Sequence, residues 1–526
     1  VVKYSRPLIG QFFIGFWVFL MERIKRKLFF WTLVISFFVL APTIILYARG
    51  YRFDAHKGVF VYGGAITLKT NPQSAQIYLN GQIDVSKQLN RINSSQNITG
   101  LIPANYNITV SAPGYKTWTK KTDVLSGLSS EFWNVILTRD NYDKKNYDDT
   151  AGIDRFFISP QNKYIVYDKD NGDSLGINIF NISSGKTEQN FSLSGWKMID
   201  EARKENIEWS PQEDYLSIPV EKSVAAPTVK GAKSTSDTPA ETTQYDYIII
   251  DPANNNSFDL NDFLGKKDIS DVRWDPKSKG YLFFLSKNNL YRANVTNASD
   301  IATISENVSS FDLTNDGVYF VQPPNNLVFK TSFDGQAAKV QVTSSFPDGG
   351  NAAIDRLIIY DNARIAFIDA NQNLFVYNEG DKDTYFKKLG DGVLGMHFSD
   401  DGKKLLFWSD SEISVYYLRD WTVQPTRSED SLATITRYSE PIKNVQWSKD
   451  YEHVIFNTGK WVKIIELDDR DHRNCMDLIN TTVDNPFIRY DNSLEYLYFT
   501  DNDGGNSTLR SIIFPEPTAI LGIGGS

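Results

Sequence analysis

Sulfur chemistry is nearly missing from this chain. Cys475 is the one cysteine among 526 residues, which excludes an intramolecular disulfide and any cage of cysteine ligands around zinc. A single thiol so far from the N-terminus cannot be the acylated cysteine of a lipoprotein. An exported protein of this length without disulfides fits a bacterium better than a eukaryotic secretory route. Histidine is scarce as well. His56, His397, His453 and His472 are the four, and no two share a spacing that would put both on one metal. No His-Glu-x-x-His, no Gly-x-Ser-x-Gly elbow and no Walker-type or dinucleotide glycine loop occurs. Dense positive charge is absent after the first 27 residues, and the formal net charge is −9 with a pI near 5.2. Nucleic acid is therefore not an expected partner, since phosphates need a basic face. These gaps together lead us to expect no catalytic, cofactor-binding or metal-ligating residues, and no enzyme activity. They leave the ligand-binding residues unknown.

One long apolar run is present. Leu28–Tyr47, LFFWTLVISFFVLAPTIILY, contains no Asp, Glu, Lys or Arg. As a helix it reaches about 30 Å, the thickness of a bilayer's hydrocarbon core. Pro42 is tolerated more readily in a membrane helix than in a soluble one. Arg23, Lys25, Arg26 and Lys27 precede the run, and the sparser Arg49 and Arg52 follow it. The positive-inside rule then gives a cytoplasmic N-terminus over 1–27, a transmembrane helix over 28–47 and extracytoplasmic C-terminal domains. The apolar core is too long for a typical signal peptide, and an uncleaved anchor is expected. A second apolar stretch, Pro7–Leu20, reads either as the first arm of a helical hairpin or as residues ahead of a native start at Met21. The second reading is preferred, because Met21 is followed directly by a basic cluster and an apolar run.

Over 65–138 the pattern alternates with period two, as in Ile66-Thr67-Leu68-Lys69-Thr70 and Tyr106-Asn107-Ile108-Thr109-Val110. Such alternation puts one strand face on a core and the other in water. Asn80-Gly81 and Pro113-Gly114 supply turns, so a small β-sandwich is expected. The stretch resembles the PEGA domain. The namesake tetrapeptide falls on Pro72-Gln73-Ser74-Ala75, followed by Ile77-Tyr78-Leu79-Asn80-Gly81, and the second signature on Leu101–Tyr106 and Ala112–Trp118. Gln73 and Ser74 depart from the namesake residues. The resemblance implies a bacterial or archaeal cell-envelope setting and a structural or adhesive role.

The remainder repeats one unit. Phe398-Ser399-Asp400-Asp401-Gly402 leads into Lys404–Trp408 and then Ile413–Leu418. Parallel copies begin at Ile158-Ser159-Pro160, Trp209-Ser210-Pro211, Trp274-Asp275-Pro276 and Trp447-Ser448-Lys449, with weaker ones near Phe311, Ile359 and Arg489. Their spacing suits four-stranded propeller blades, which bury their faces on one another around an axis. The expected fold is all-β: an N-terminal transmembrane helix, the PEGA-like sandwich, then a β-propeller over 150–515 with eight blades, or alternatively seven. Trp209, Trp274 and Trp447 recur at one place in their copies, which points to packing between blades. The unit resembles the WD-like repeat of periplasmic Tol-associated propellers, which implies protein contact in the envelope. Glu221–Gln244 lacks aromatics, is rich in Ala, Thr, Ser, Pro and Lys, and is expected to be a disordered insertion at a hairpin tip. The acidic segments Asp168–Asp173 and Asp501–Asn506 have oxygen ligands at alternate positions, yet lack the bidentate Glu of an EF-hand and read as turns. The functional expectation is non-catalytic binding or scaffolding with an envelope protein or cell-wall glycan as partner. The alternative is a propeller glycosidase or lyase acting on wall polymers.

Overall fold

In the computed structural model, residues 23–83, 88–90, 95–170, 172–199, 207–225, 241–347, 352–503 and 505–517 are described. Pro7–Leu20 and Met21 lie outside them, as does the middle of the expected insertion, 226–240. The chain folds as two compact units, Val1–Ser111 with Trp118–Val135, and Ala112–Thr117 with Ile136–Ser526.

The first unit starts with helix α1, Arg23–Ala48, five residues longer at its N-terminus than the uncharged run. Lys25–Ala48 is long and apolar enough to cross a membrane, and its most apolar stretch is not buried against the rest of the protein. Its two threonine hydroxyls donate back to carbonyls one turn earlier, Thr32 to Leu28 at 2.8 Å and Thr43 to Val39 at 2.7 Å. They therefore ask nothing of the surroundings. A short antiparallel ribbon follows, Tyr51–Asp54 paired with Val59–Tyr62. Beyond it lie two four-stranded sheets. One orders Ser129–Ile136, Gly64–Asn71, Ser95–Leu101 and Gln88–Asn90, and the other Gln82–Ile83, Gln76–Leu79, Ala104–Ser111 and Trp118–Val124. Ile66, Leu68, Ile77, Ile98, Ile108 and Val110 are fully buried between them. Trp118 of one sheet meets Phe132 of the other edge-on, with ring centroids 5.6 Å apart. Asn80 and Gly81 take φ of 49° and 81°, the left-handed pair that a two-residue hairpin needs.

The second unit is a ring of eight antiparallel sheets, the first seven running in chain order from an inner to an outer strand. We number blades 1 to 8 by their first strands: Phe156–Ile158, Glu208–Trp209, Ile269–Trp274, Ser310–Thr314, Ile354–Asp361, Gly395–Phe398, Ile442–Trp447 and Ile488–Asp491. First strands of neighbouring blades approach one another, so they are the innermost. Apolar clusters fill the junctions between consecutive blades, including one that joins Phe487, Tyr498 and Leu509 of blade 8 to Phe156 and Phe180 of blade 1. Among the described residues the ring has eight sheets, so the seven-bladed alternative does not hold. The weaker sequence copies near Phe311, Ile359 and Arg489 are inner strands like the rest.

Two boundaries differ from the sequence reading. Blade 8 takes its outer strand from Lys145–Tyr147, which pairs with Asn506–Ile513 through Lys145↔Ser511 and Tyr147↔Leu509. The propeller thus begins before residue 150. Three residues carry too little alternation to announce a strand. The second difference is in blade 2, where Leu216–Ala225 and Glu241–Asp251 pair continuously from Leu216↔Ile250 out to Ala225↔Glu241. Both flanks of the expected 221–244 loop are therefore strand, because Ser and Thr on a two-stranded ribbon satisfy their backbone groups across it.

Candidate functional site

The innermost strands line the axis of the ring, and their side chains form the candidate site. Three of these strands carry a bulge or register shift, that of blade 5 slipping between Ile354 and Arg356 and again between Ile359 and Asp361. Asp271 (φ 53°) and Asn444 (φ 51°) are left-handed, and the pairing slips between Ser270 and Arg273 and between Lys443 and Gln446. A bulge re-aims the residues after it. Arg273 is one such residue. Its Nε donates to Glu208 Oε2 of blade 2 at 3.2 Å and its Nη1 to Asp312 Oδ1 of blade 4 at 3.1 Å.

Backbone amides complete this belt. Glu208 Oε2 also accepts from Trp274 N at 3.3 Å, while Asp312 accepts from Leu313 N at 2.9 Å and from Ile359 N of blade 5 at 2.8 Å. Four consecutive blades are thereby joined through one guanidinium and two carboxylates. Burial raises the Glu208 pKa, against the pull of the Arg273 charge. Arg273 is held firmly charged, first by Glu208 and then, against the cost of burial, by Asp312. On the far side of the ring, neutral groups do the joining. Asn444 donates to Pro486 O at 3.1 Å, and Tyr490 N donates to Gln446 Oε1 at 2.8 Å.

The recurring tryptophans seal blade junctions behind this wall. Trp274 Nε1 donates to Glu208 O at 2.9 Å, and Trp447 Nε1 to His397 O at 3.3 Å, each bonding to the inner strand of the preceding blade. Trp209 stacks on Tyr164 at 5.9 Å and Trp274 on Tyr215 at 5.7 Å, with ring planes within 16° and 15° of parallel. Ser159, Ser210 and Ser399 organise the turn after the inner strand, each hydroxyl accepting a backbone N–H four or five residues on. The third residue after each of these serines is left-handed, with φ of 56° at Asn162, 59° at Glu213 and 63° at Gly402. The Asp-Gly signature survives only at Asp401-Gly402, yet the backbone shape persists in the other copies.

Two cavities open on the inner wall. One of about 320 Å³ is lined by Glu208, Asp271, Arg273, Asp312, Asp355 and Arg356, among others. The next, about 330 Å³, is bounded by Arg356, Tyr360, His397 and Asp400. Arg356 belongs to both, and its guanidinium has no hydrogen-bonded or ion-paired partner among the described residues. Burial and the nearby Arg273 charge lower its pKa, partly offset by Asp271, Asp312 and Asp355. His397 is exposed to the channel, yet desolvation by the crowded inner wall pushes it down to about 4, with Arg356 and Arg489 adding to the effect. Its imidazole is neutral at physiological pH, and the charge on this wall belongs to the arginines. Sequence reasoning missed Arg273, Arg356 and the role of His397. Only their place three to four residues ahead of the Pro- and Ser-bearing turns could have flagged the first.

The remaining histidines lie elsewhere. His453 is buried with Nδ1 2.7 Å from Asp450 Oδ2, and His472 Nδ1 sits 2.9 Å from Asp471 Oδ2. His56 is in the turn of the 51–62 ribbon. Both acidic segments are bound internally. Asp168 takes Arg155 N at 2.7 Å and the Arg155 guanidinium at 3.4 Å. Asp501 takes Thr482 N at 2.8 Å and Arg510 Nη1 at 2.8 Å. Asn171 and Gly504 of these segments lie outside the described residues. No cluster of three or more metal-ligating residues occurs among the described residues.

No family model matches the chain, and no curated protein matches its sequence. Solved structures resemble it distantly. The β-propeller domain of Myceliophteria thermophila Cps50 (Swd1) is 10% identical with a TM-score of 0.36, over 71% of this chain and 98% of that one. A eukaryotic initiation factor is 13% identical with a TM-score of 0.42, covering 73% and 92%. The Dos1 propeller is 12% identical with a TM-score of 0.42, covering 72% and 95%. The fold assignment stands on the eight-sheet ring itself.

Proposed function

We propose that this chain is a non-catalytic binding scaffold held in a bacterial cytoplasmic membrane by α1, with the propeller displayed on the extracytoplasmic side. The sandwich, PEGA-like in its signatures, acts as a structural module of the envelope. One observation carries the reading. Glu208 and Asp312, the carboxylates of the inner-wall belt, are taken up by Arg273 and by backbone amides of three blades. Carboxylates spent in this way hold blades together and are not free to exchange protons with a glycosidic bond. What the wall offers a ligand is Arg356, a guanidinium with open donors beside a neutral His397. A carboxylate, on a protein segment or on a wall glycan, matches its fork.

The rival reading is a propeller glycosidase or lyase, favoured by Asp271 and Asp355 lining the same cavity as Arg356. Purified full-length protein in nanodiscs, incubated with peptidoglycan and acidic wall polysaccharides, separates the two. Scaffolding predicts saturable binding that Arg356→Ala weakens, with no new reducing ends or unsaturated sugars. Turnover that Asp271→Asn or Asp355→Asn abolishes would establish the rival.

A further inference from the structure

The ribbon directly after α1 has an aromatic face with no sheet to cover it. In the register Tyr51↔Tyr62 and Phe53↔Phe60, all four rings fall on one side. Each pair meets edge-on, with centroids 5.3 Å apart in both cases. Phe53 is 51% exposed and Tyr62 45%. The opposite side is tied down. Arg52 donates to Tyr47 O at 3.2 Å and Tyr51 O at 2.9 Å, lies 4.1 Å above the Tyr47 ring, and presses so closely on Gly100 that any side chain there would collide with it.

The patch continues onto the sandwich. Gly63 N bonds to Gly50 O at 2.9 Å, and Ser126 Oγ to Tyr62 O at 3.0 Å. The Tyr62 ring rests on Gly127, which has no side chain to displace it. That turn projects Leu125 and Leu128, 57% and 59% exposed. Helix end, ribbon and turn therefore form one bonded surface of exposed aromatic and aliphatic groups, with Arg49 before the ribbon and Lys57, paired to Asp54, in its turn. In water such a surface is unfavourable in proportion to the apolar area left uncovered. Amphipathic aromatics flanked by basic residues are what the headgroup layer accommodates.

We propose that this surface is a lipid-docking collar, seated in the headgroup layer of the leaflet where α1 emerges. The occupant follows from continuity: the ribbon starts three residues after the helix ends, and Arg49 N still bonds to Ile45 O at 3.0 Å. A chain that leaves the bilayer at Ala48 cannot lift Tyr51 and Phe53 far from it. The collar thus fixes the sandwich's attitude to the membrane instead of leaving it on a flexible stalk. This inference rests on the anchoring reading above.

Site-directed spin labels in the full chain test it. In a Cys475→Ser background, single cysteines replace Phe53, Leu125 or Leu128, with Phe37 as a bilayer reference and Ser183 as a water reference. The protein is reconstituted in nanodiscs of phosphatidylcholine and phosphatidylglycerol. Labels at 53, 125 and 128 should be at least about threefold less accessible to a water-soluble nickel relaxant than the label at 183, and shallower than the label at 37. If all three match position 183 while 37 stays lipid-buried, the anchor stands and the collar is refuted. If 37 also matches 183, the anchor itself is refuted, and the collar with it.

Discussion

Removing the charge of Arg273 should loosen the ring in a way that depends on pH. Arg273→Met keeps the aliphatic stem but strands Glu208 and Asp312, which it bonds at 3.2 and 3.1 Å. Breaking a fully buried ion pair costs about 3–5 kcal/mol, and this one touches channel water, so about 2–4 kcal/mol is the appropriate range. The ring runs from Lys145 to Ile513, and unfolding a unit of about 370 residues carries an entropy near 0.8 kcal/mol per kelvin. The melting temperature of the full chain in nanodiscs, followed by tryptophan fluorescence at pH 8, should then fall by about 3–5 °C. Burial raises the folded-state pKa of Glu208, and losing Arg273 raises it further. A raised acid favours the native state less as pH climbs from the unfolded value through the folded one. The deficit should therefore shrink as the pH is lowered towards 5, because protonation of Glu208 removes the stranded charge. Adding Glu208→Gln should recover part of it at pH 8. A fall under about 1 °C at pH 8, or one of equal size at both pH values, would refute the belt as the link between blades.

Asp246 is pushed up to about 8 by burial and by its hydrogen bond and charge repulsion with Asp259. Native stability should decline as pH rises from about 4 to about 8, and Asp246→Asn should remove that decline, raising the melting temperature by about 2–4 °C at pH 8.5 with little change at pH 4.5. Equal melting curves for both proteins at pH 8.5 would count against the shift. Trp274→Phe removes the 2.9 Å indole bond to Glu208 O and part of the stack on Tyr215. It should cost about 1–3 kcal/mol, read as a shift of about 1–4 °C in the same melt, with Phe fully rescuing neither contact.

The ring and the sandwich were legible because each rests on local alternation and on turns with their own chemistry. Asn80-Gly81 and Gly402 announce left-handed backbone by residue type. Glu213 takes the same conformation without announcing it, since the Ser210 hydroxyl holds the turn shut on the Asp214 and Tyr215 amides. Recurrence alone identified Trp209, Trp274 and Trp447 as packing residues. The inner-wall site was not legible. Arg273 meets Asp312 only because a bulge at Asp271 re-aims it and because blades 3 and 4 are adjacent, and neither fact is local. Lys145–Tyr147 was missed for a related reason: a strand of three residues is defined by its distant partner, Asn506–Ile513, and not by its own pattern.

That borrowed strand also sets an order of events. Blades 1 to 7 each draw on one contiguous stretch of chain, whereas the last sheet joins Lys145 to Ser511. Contacts so far apart are slow to form, because the loop entropy is lost before the pairing is gained. As the polypeptide emerges N-terminus first, Lys145–Tyr147 must wait as a vacant edge until nearly everything else has appeared. The seam is the final stitch, and a chaperone acting on this protein would find its exposed substrate there.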